Sequence, residues 1–352
     1  MTSLYKSKFK TVHFYTTKYV ANLTRGLSQV FLRDLKIMTS GITCDQIVHS
    51  SDVIRNRENP SELMFILIPQ LLVTDSSSLP DPHKYCIYQL EQLNDKNKNN
   101  KITSDGDVMV KTVFGSVMTE LIRNSVASYD YSAINVDYYP TELRKFIKIL
   151  IPPIYNQVHE IGTMIPEMAP IDILFYGGIN ARRESILKLI MGQLQTGHGI
   201  KITVVNRVFG EDLLKLIAKA RVVLNIHFYT NSILETDRIH TALQFENVNV
   251  VSEYPTQRDD LISVYETHPR ILFCDEIVDN VVDAANNDNN NPQIEKLIQT
   301  CIFAVERAKI NNKINNNRNN CMNGINNSNN VNINTICAKT LKTLMLYDTT
   351  EL

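Results

Sequence analysis

Nothing in this chain approaches the ~20 consecutive apolar residues that a membrane-spanning helix needs. The most apolar run, ELMFILIPQLLV at 62–73, is short, contains Pro69 and reads as a buried strand. The opening MTSLYKSKFKTVHFYTTKYV has no uninterrupted apolar core and no small-residue cleavage site, so no signal peptide is expected. The six cysteines, Cys44, Cys86, Cys274, Cys301, Cys321 and Cys337, include no C-x-x-C pair. That disfavours a zinc site or a thioredoxin-like motif, and they read as buried or free thiols in a reducing compartment. Neither sign of charge dominates: 36 Lys and Arg face 37 Asp and Glu, a net charge of -1. No general attraction to nucleic acid or to an acidic membrane follows from such a balance. The expectation is a cytoplasmic protein with no integral membrane segment and no nucleic-acid partner.

What is present is an ordinary globular composition, 43% hydrophobic and 21% charged, over 352 residues. Single cores stop growing near ~250–300 residues, so two domains are expected, 1–160 and 161–352. In the first half, strands are read at Lys10–Tyr15, within Ser61–Val73, at Tyr85–Gln89 and at Phe146–Pro153. Helical spacing of Val20, Leu23, Leu27, Val30, Phe31 and Leu35 predicts a helix after the first strand, and Val108–Val126 predicts another. Lys96–Asp107 reads as a polar loop, the tyrosine-rich Ser128–Pro140 as irregular, and Ile154–Pro170 as a linker.

The second half alternates more cleanly. Strands at Ile171–Tyr176, Lys201–Asn206, Arg221–His227 and Val248–Ser252 are separated by helices at Arg182–Leu194, Glu211–Lys219 and Asp237–Gln244. Such alternation requires right-handed crossovers and a parallel sheet. Pro269–Cys274 reads as an edge strand and Pro292–Lys309 as a helix. The asparagine tract 311–334 has too few apolar groups to pack, and a terminal helix is expected at Thr335–Tyr347.

Polar residues cluster where these strands end, the edge at which parallel sheets bind ligands. Gly177 and Gly178 follow a strand and precede a helix, with Asn180, Arg182 and Arg183 at the helix start. Glycine admits close approach of a phosphate to the backbone, and a helix start offers free N–H groups. The alternative is a tight turn with two solvated arginines. In the loop NRVFGEDL, Val208 and Phe209 are candidates to flank a base, or a hydrophobic turn and helix cap. In NIHFY, Asn225 and His227 point to the same side of a strand. Glu235 and Arg238 share a helix face, either gripping a ligand or pairing with each other. Glu253 follows a strand end, and Glu91 is the best-placed carboxylate of the first half.

The ordered elements FYGGINARR, NRVFGEDL, LNIHFY, and ETDR with VNVVSE resemble the group 1-like glycosyltransferases of the GT-B type. Those carry Y-G-x-x-N-x-R-R and L-N-I-H-x-Y elements in their C-terminal domain. The resemblance implies an α/β chain of two Rossmann-like domains facing each other across a cleft, the second holding a nucleotide sugar. It implies transfer of a sugar to a glycan, protein or small-molecule acceptor, with no cofactor and no metal. By it, Gly177, Gly178, Asn180, Arg182 and Arg183 surround the diphosphate, and Val208 and Phe209 border the base. Glu235 and Arg238 hold sugar and phosphate, with His227 and Glu253 nearby. Glu91 and Glu235 are the catalytic candidates. One departure stands out. Many members place a second glutamate just before an Ala-Leu pair, where it holds the ribose; here Thr241 precedes Ala242 and Leu243. A catalytically degenerate module binding a nucleotide, glycan or protein is therefore the alternative. A different two-domain Rossmann enzyme, such as an epimerase, is a third reading.

Overall fold

The computed structural model describes residues 11–15, 47–48, 62–67, 79–80, 82, 85–90, 92–93, 116–150, 171–230, 232–258, 262–277 and 291–318. The chain divides into two compact units, Met1–Pro153 with Asn332–Leu352, and Ile154–Val331. Each unit carries its own parallel sheet, which is the α/β class that the alternation requires.

The first unit contains β1 (Thr11–Tyr15), β2 (Ile47–Val48), β3 (Glu62–Leu67), β4 (Tyr85–Gln89), β5 (Ala127–Asp130) and β6 (Ile147–Ile149) in the order β2-β1-β3-β4-β5-β6. Helix α1 (Ser116–Asn124) precedes β5, and the short helices α2 (Ala133–Val136) and α3 (Thr141–Arg144) follow it. Ile66, Tyr85, Ile87, Leu121, Ile122 and Leu143 share one core. The expected strand at Tyr85–Gln89 is present at those bounds. Ser128–Pro140 is not irregular: it supplies most of β5 and all of α2. ASYD lacks an apolar pattern, yet all four of its residues are buried. The tyrosines of the neighbouring strand β4 go inside because their hydroxyls find acceptors. Tyr88 donates to the Leu150 carbonyl at 2.6 Å and Tyr85 to the Leu121 carbonyl at 2.7 Å. The helix expected around 20–35, the loop 96–107, the linker 154–170, the terminal helix and Glu91 lie outside the described residues.

The second unit contains β7 (Ile171–Tyr176), β8 (Ile202–Val205), β9 (Ala220–Asn225), β10 (Asn249–Glu253) and β11 (Ile271–Cys274), in the order β11-β10-β9-β7-β8. Helices α4 (Ala181–His198), α5 (Gly210–Lys219), α6 (Thr236–Leu243), α7 (Ile262–Glu266) and α8 (Pro292–Arg318) follow the strands in turn. Phe175, Leu224 and Val251 pack under Ile186 and Ile190 of α4 and Leu297 and Val305 of α8. Each such side chain contributes roughly 1.5–3 kcal/mol on burial. Helix α4 ends where Gly199 turns to φ 63, its N–H meeting the Gln195 carbonyl. Helix α8 runs past the expected Lys309 to Arg318, through the first residues of the asparagine tract. Once a packed segment has nucleated a helix, each further residue adds a hydrogen bond at little cost, even for asparagine. Among the described residues no helix is long and apolar enough to cross a membrane.

At the end of β5, the Asp130 carboxylate is fully buried. Burial pushes it up to about 7, against hydrogen bonds from Ser132 N, Asn135 Nδ2, Tyr139 Oη and Tyr131 N that favour the charged form. The unfolded chain titrates the same group near ~3.9. Stability from the extra proton is therefore complete below pH ~4 and is lost as pH rises through about 7. In Asp130→Asn the amide keeps an acceptor toward Ser132 and Asn135 and presents a donor to Tyr139. Chemical denaturation should show the wild type losing about 3 kcal/mol more than Asp130→Asn between pH 5 and pH 8. Equal losses in the two proteins would contradict this account of Asp130.

Candidate functional site

In the second unit the strand order reverses between β7 and β9: β8 lies on one side of β7, and β9, β10 and β11 on the other. Loops leaving the two central strands then diverge, and a crevice opens at their C-terminal ends. The turn Gly177–Gly178 and the start of α4 leave β7 at this point. His227–Tyr229 and the start of α6 leave β9 at the same point.

A buried ion pair organises the floor. Arg182 lies behind the first turn of α4 and forks onto Glu253 at the end of β10, Nη1 to Oε2 at 3.0 Å and Nη2 to Oε1 at 2.6 Å. Arg182 also donates to the carbonyls of His227 and Ile277. Glu253 in turn accepts from the main-chain N–H groups of His227, at 2.6 Å, and Ile277, at 2.9 Å. Both side chains face the protein interior, so their contacts here are with the chain itself.

Above it lies a second cluster. Arg183, 2% exposed, donates through Nη2 to both oxygens of Glu235 at 2.9 and 3.1 Å. Its Nε reaches the Ile226 carbonyl and its Nη1 the Gly178 carbonyl. Arg238 Nε meets Glu235 Oε2 at 3.1 Å, and Phe228 N–H donates to Oε1 at 3.0 Å. Burial alone would raise the Glu235 carboxyl. The guanidiniums of Arg183 and Arg238, with His227 and the Phe228 N–H, outweigh it and hold the group at about 2. Burial lowers Arg183 to about 10, opposed by Glu235, so it stays charged at neutral pH. Two arginines thus converge on one glutamate beside the Gly177–Gly178 turn, with Asp237 the other acid facing Arg238. The rings of Phe175 and Phe228 lie 5.5 and 5.0 Å from the Arg183 guanidinium and fix its plane.

Gly177 adopts φ 125, and Arg238 fills the space where a side chain would stand. Asn180 caps α4: its Oδ1 accepts from Arg183 N at 2.9 Å, and its Nδ2 donates to the Phe228 carbonyl at 2.6 Å. One asparagine thus joins the two loops. Val208 and Phe209 are half-buried on the loop between β8 and α5, where Phe209 precedes the helix without a side-chain cap. Their neighbour Arg207 sits at φ 59, a left-handed conformation that costs a non-glycine residue roughly 1–2 kcal/mol. Strain of this kind clusters at functional loops. His227 is completely buried; among the described residues neither ring nitrogen has a hydrogen-bond partner, and Nδ1 lies 4.0 Å from Glu276 Oε1.

Of the residues singled out in this half, Gly177, Gly178, Asn180, Arg182, Arg183, His227, Glu235, Arg238 and Glu253 are joined by contacts at the β7–β9 mouth, whereas Val208 and Phe209 lie on the loop after β8, Asn225 meets Ser252 and Thr241 bonds within α6. Two further members escaped the sequence reading. Phe228 stands in NIHFY, but only the fold brings its N–H to Glu235. Glu276 follows β11 in the acidic pair Asp275–Glu276, and a carboxylate directly after a strand end was the available signal. Among the described residues no group of three or more His, Cys, Asp or Glu side chains is placed to hold a metal ion.

No family model and no curated protein matches this chain. Solved structures do resemble it. A Staphylococcus aureus TarM variant in complex with fondaparinux, α-GlcNAc-glycerol and UDP aligns with 84% of this chain at 9% identity and a TM-score of 0.45. This chain spans 57% of the length of that one. AviGT4, a glycosyltransferase of avilamycin A biosynthesis, aligns over 86% of this chain and 96% of its own at 11% identity, with a TM-score of 0.41. A UDP-forming α,α-trehalose-phosphate synthase from Burkholderia xenovorans aligns over 96% and 98% at 7% identity, with a TM-score of 0.45. At these identities and scores, function rests on the residues themselves.

The turn makes a direct prediction. In Gly177→Ala the new Cβ would stand 2.8 Å from Arg238 Nη2 on a backbone that disfavours any L side chain. Denaturant unfolding should show a loss of about 2–4 kcal/mol. A change below ~0.5 kcal/mol would show that the turn and Arg238 rearrange freely.

Proposed function

We propose that the second unit binds the diphosphate of a nucleotide sugar at the Gly177–Gly178 turn and that the protein is a glycosyltransferase. The observation carrying this reading is the pair of arginines, Arg183 and Arg238, held by Glu235 beside a glycine turn and a helix start at the strand-order reversal. Fixed positive charge in a partly dehydrated site stabilises a diphosphate, and stabilises it more as it becomes a leaving group. Gly178 and the first turn of α4 offer main-chain N–H groups to the same anion.

Glu235 is assigned a holding role. A carboxylate kept near pKa 2 is a poor proton acceptor at neutral pH. It is suited to accept hydrogen bonds from sugar hydroxyls and to keep two arginines from repelling each other. Val208 and Phe209, on the strained loop after β8, are the proposed border of the base. Arg182 and Glu253 support the floor from behind.

The test is thermal stabilisation by a panel of nucleoside diphosphates and nucleotide sugars, with and without divalent metal. A ligand that binds only the folded state raises its stability by mass action, about 2.7 kcal/mol at 100 times Kd. One nucleotide class should stabilise the protein. Arg238→Ala should weaken that ligand at least ~10-fold, since Arg238 is the arginine a ligand can reach and a charge-assisted bond is worth about 1.5–3 kcal/mol. Asp172→Asn, which breaks the Arg221 pair near the opposite end of β7, should leave affinity unchanged. No stabilisation across the panel would overturn the donor site. Binding without transfer or donor hydrolysis would favour the degenerate module.

A further inference from the structure

His227 departs from the rule that buried polar side chains are hydrogen-bonded. Its main chain is fully engaged, N–H to Glu253 and carbonyl to Arg182. Its ring is completely buried, with both nitrogens unpartnered among the described residues and the Glu276 carboxylate 4.0 Å from Nδ1. That separation is about 1 Å beyond a hydrogen bond. A neutral imidazole gains little by closing it. A protonated imidazole gains an ion pair in a site that excludes water, where such attraction is weakly screened.

Glu276 faces the ring itself and Glu235 acts on it electrostatically, while Arg182 and Glu253 bond its main chain and Arg183 and Arg238 bond Glu235. Arg182 and Arg183 come from α4, Glu235 and Arg238 from the start of α6, Glu253 from the end of β10, and Glu276 from the turn after β11. Three arginines offset three glutamates, so this set is formally neutral while the imidazole is neutral and becomes +1 when it takes a proton. Asp237, which faces Arg238 and Tyr176, is the other nearby acid. Histidine is the side chain whose ordinary titration lies between pH 5 and 8.

We propose that His227 and Glu276 form a proton-operated pair: uptake of a proton by the imidazole closes it onto Glu276, adds a positive charge beneath the Arg183–Glu235–Arg238 cluster, and tightens binding of a diphosphate group. Glu276 is a positioning residue that acts through His227. The proposal rests on the anion-binding reading above, because the added charge has a function only if an anion is bound there.

The experiment uses the full chain and inorganic pyrophosphate, the chemistry shared by all nucleoside diphosphates. Calorimetric affinity is measured from pH 5.5 to 8 for the wild type, His227→Asn and Glu276→Gln. Pyrophosphate itself titrates in this range, and so does Asp237; both effects are common to the three proteins and cancel in the comparison. Affinity should rise about five- to tenfold more on acidification in the wild type than in either variant. In parallel, the carbon-bound imidazole protons of His227 are followed by NMR without ligand. Their pH-dependent shift should move to lower pH in Glu276→Gln, a readout that loss of packing alone would not give. Wild-type binding with the same pH profile in all three proteins would overturn the pair and leave the anion site standing. An unaltered His227 titration in Glu276→Gln would also overturn it. No pyrophosphate binding by the wild type at any pH would overturn both readings.

Discussion

The Arg182–Glu253 pair is the contact on which the second unit's ligand edge depends. One guanidinium and one carboxylate, both buried, tie together the start of α4, the exit of β9, the end of β10 and the turn after β11. These segments come from four different places in the chain, and a loop cluster built from them would otherwise be free to splay. Burying two charges is costly in itself, and such a pair is weak evidence for net stability. Its value here is geometric. Its contacts with His227 and Ile277 are all to main chain, so it fixes where loops leave the sheet.

On that floor stands a cluster with different properties. Glu235 is 23% exposed at its side chain and Arg238 14%, while Arg183 is enclosed at 2%. The gradient runs from a sealed arginine to a partly wet carboxylate, and it separates support from contact. Arg183 supplies field and holds the Gly178 carbonyl and Glu235 in place. Glu235 and Arg238 are the members a ligand can reach. Arg238 is itself steadied by the Tyr176 carbonyl and by the Phe175 and Tyr176 rings, with centroids 5.6 and 5.3 Å away. A cation held in this way loses little rotamer freedom on meeting an anion, which is how preorganisation raises affinity.

The sequence was most legible where hydrophobic pattern and topology agreed. The strands of the second unit were readable to within two residues because parallel strands are buried on both faces and appear as short apolar runs. The ASYD strand was not readable, since its burial depends on partners such as Asn135 and Tyr139 that hydrogen-bond Asp130 after a turn. Residue types at the ligand edge were readable; their pairings were only partly so. Glu235 with Arg238 was visible from its helical spacing. Arg183 with Glu235 and Arg182 with Glu253 are 52 and 71 positions apart, and only the sheet order brings them together. Two adjacent arginines therefore looked alike in the sequence, although one faces Glu253 on the floor and the other faces the cluster above it.

Thr241 shows how one departure constrains the chemistry. Its hydroxyl donates to the Asp237 carbonyl one helical turn back at 2.8 Å. A hydroxyl has a single proton, so Thr241 is left with oxygen lone pairs and can only accept. On the proposed nucleotide-binding reading, a glutamate in its place would offer ribose hydroxyls a full negative charge, and hydrogen bonds to charged groups are worth about 1.5–3 kcal/mol against 0.5–1.5 for neutral ones. A ribose at this helix would therefore be held by neutral bonds in place of charged ones. The proposed nucleotide affinity then rests more heavily on the diphosphate and on the arginines that face it. That dependence is also why a single added charge beneath the cluster would be felt in binding: with the ribose contact weakened, electrostatics at the Gly177–Gly178 turn carries a larger share of the whole.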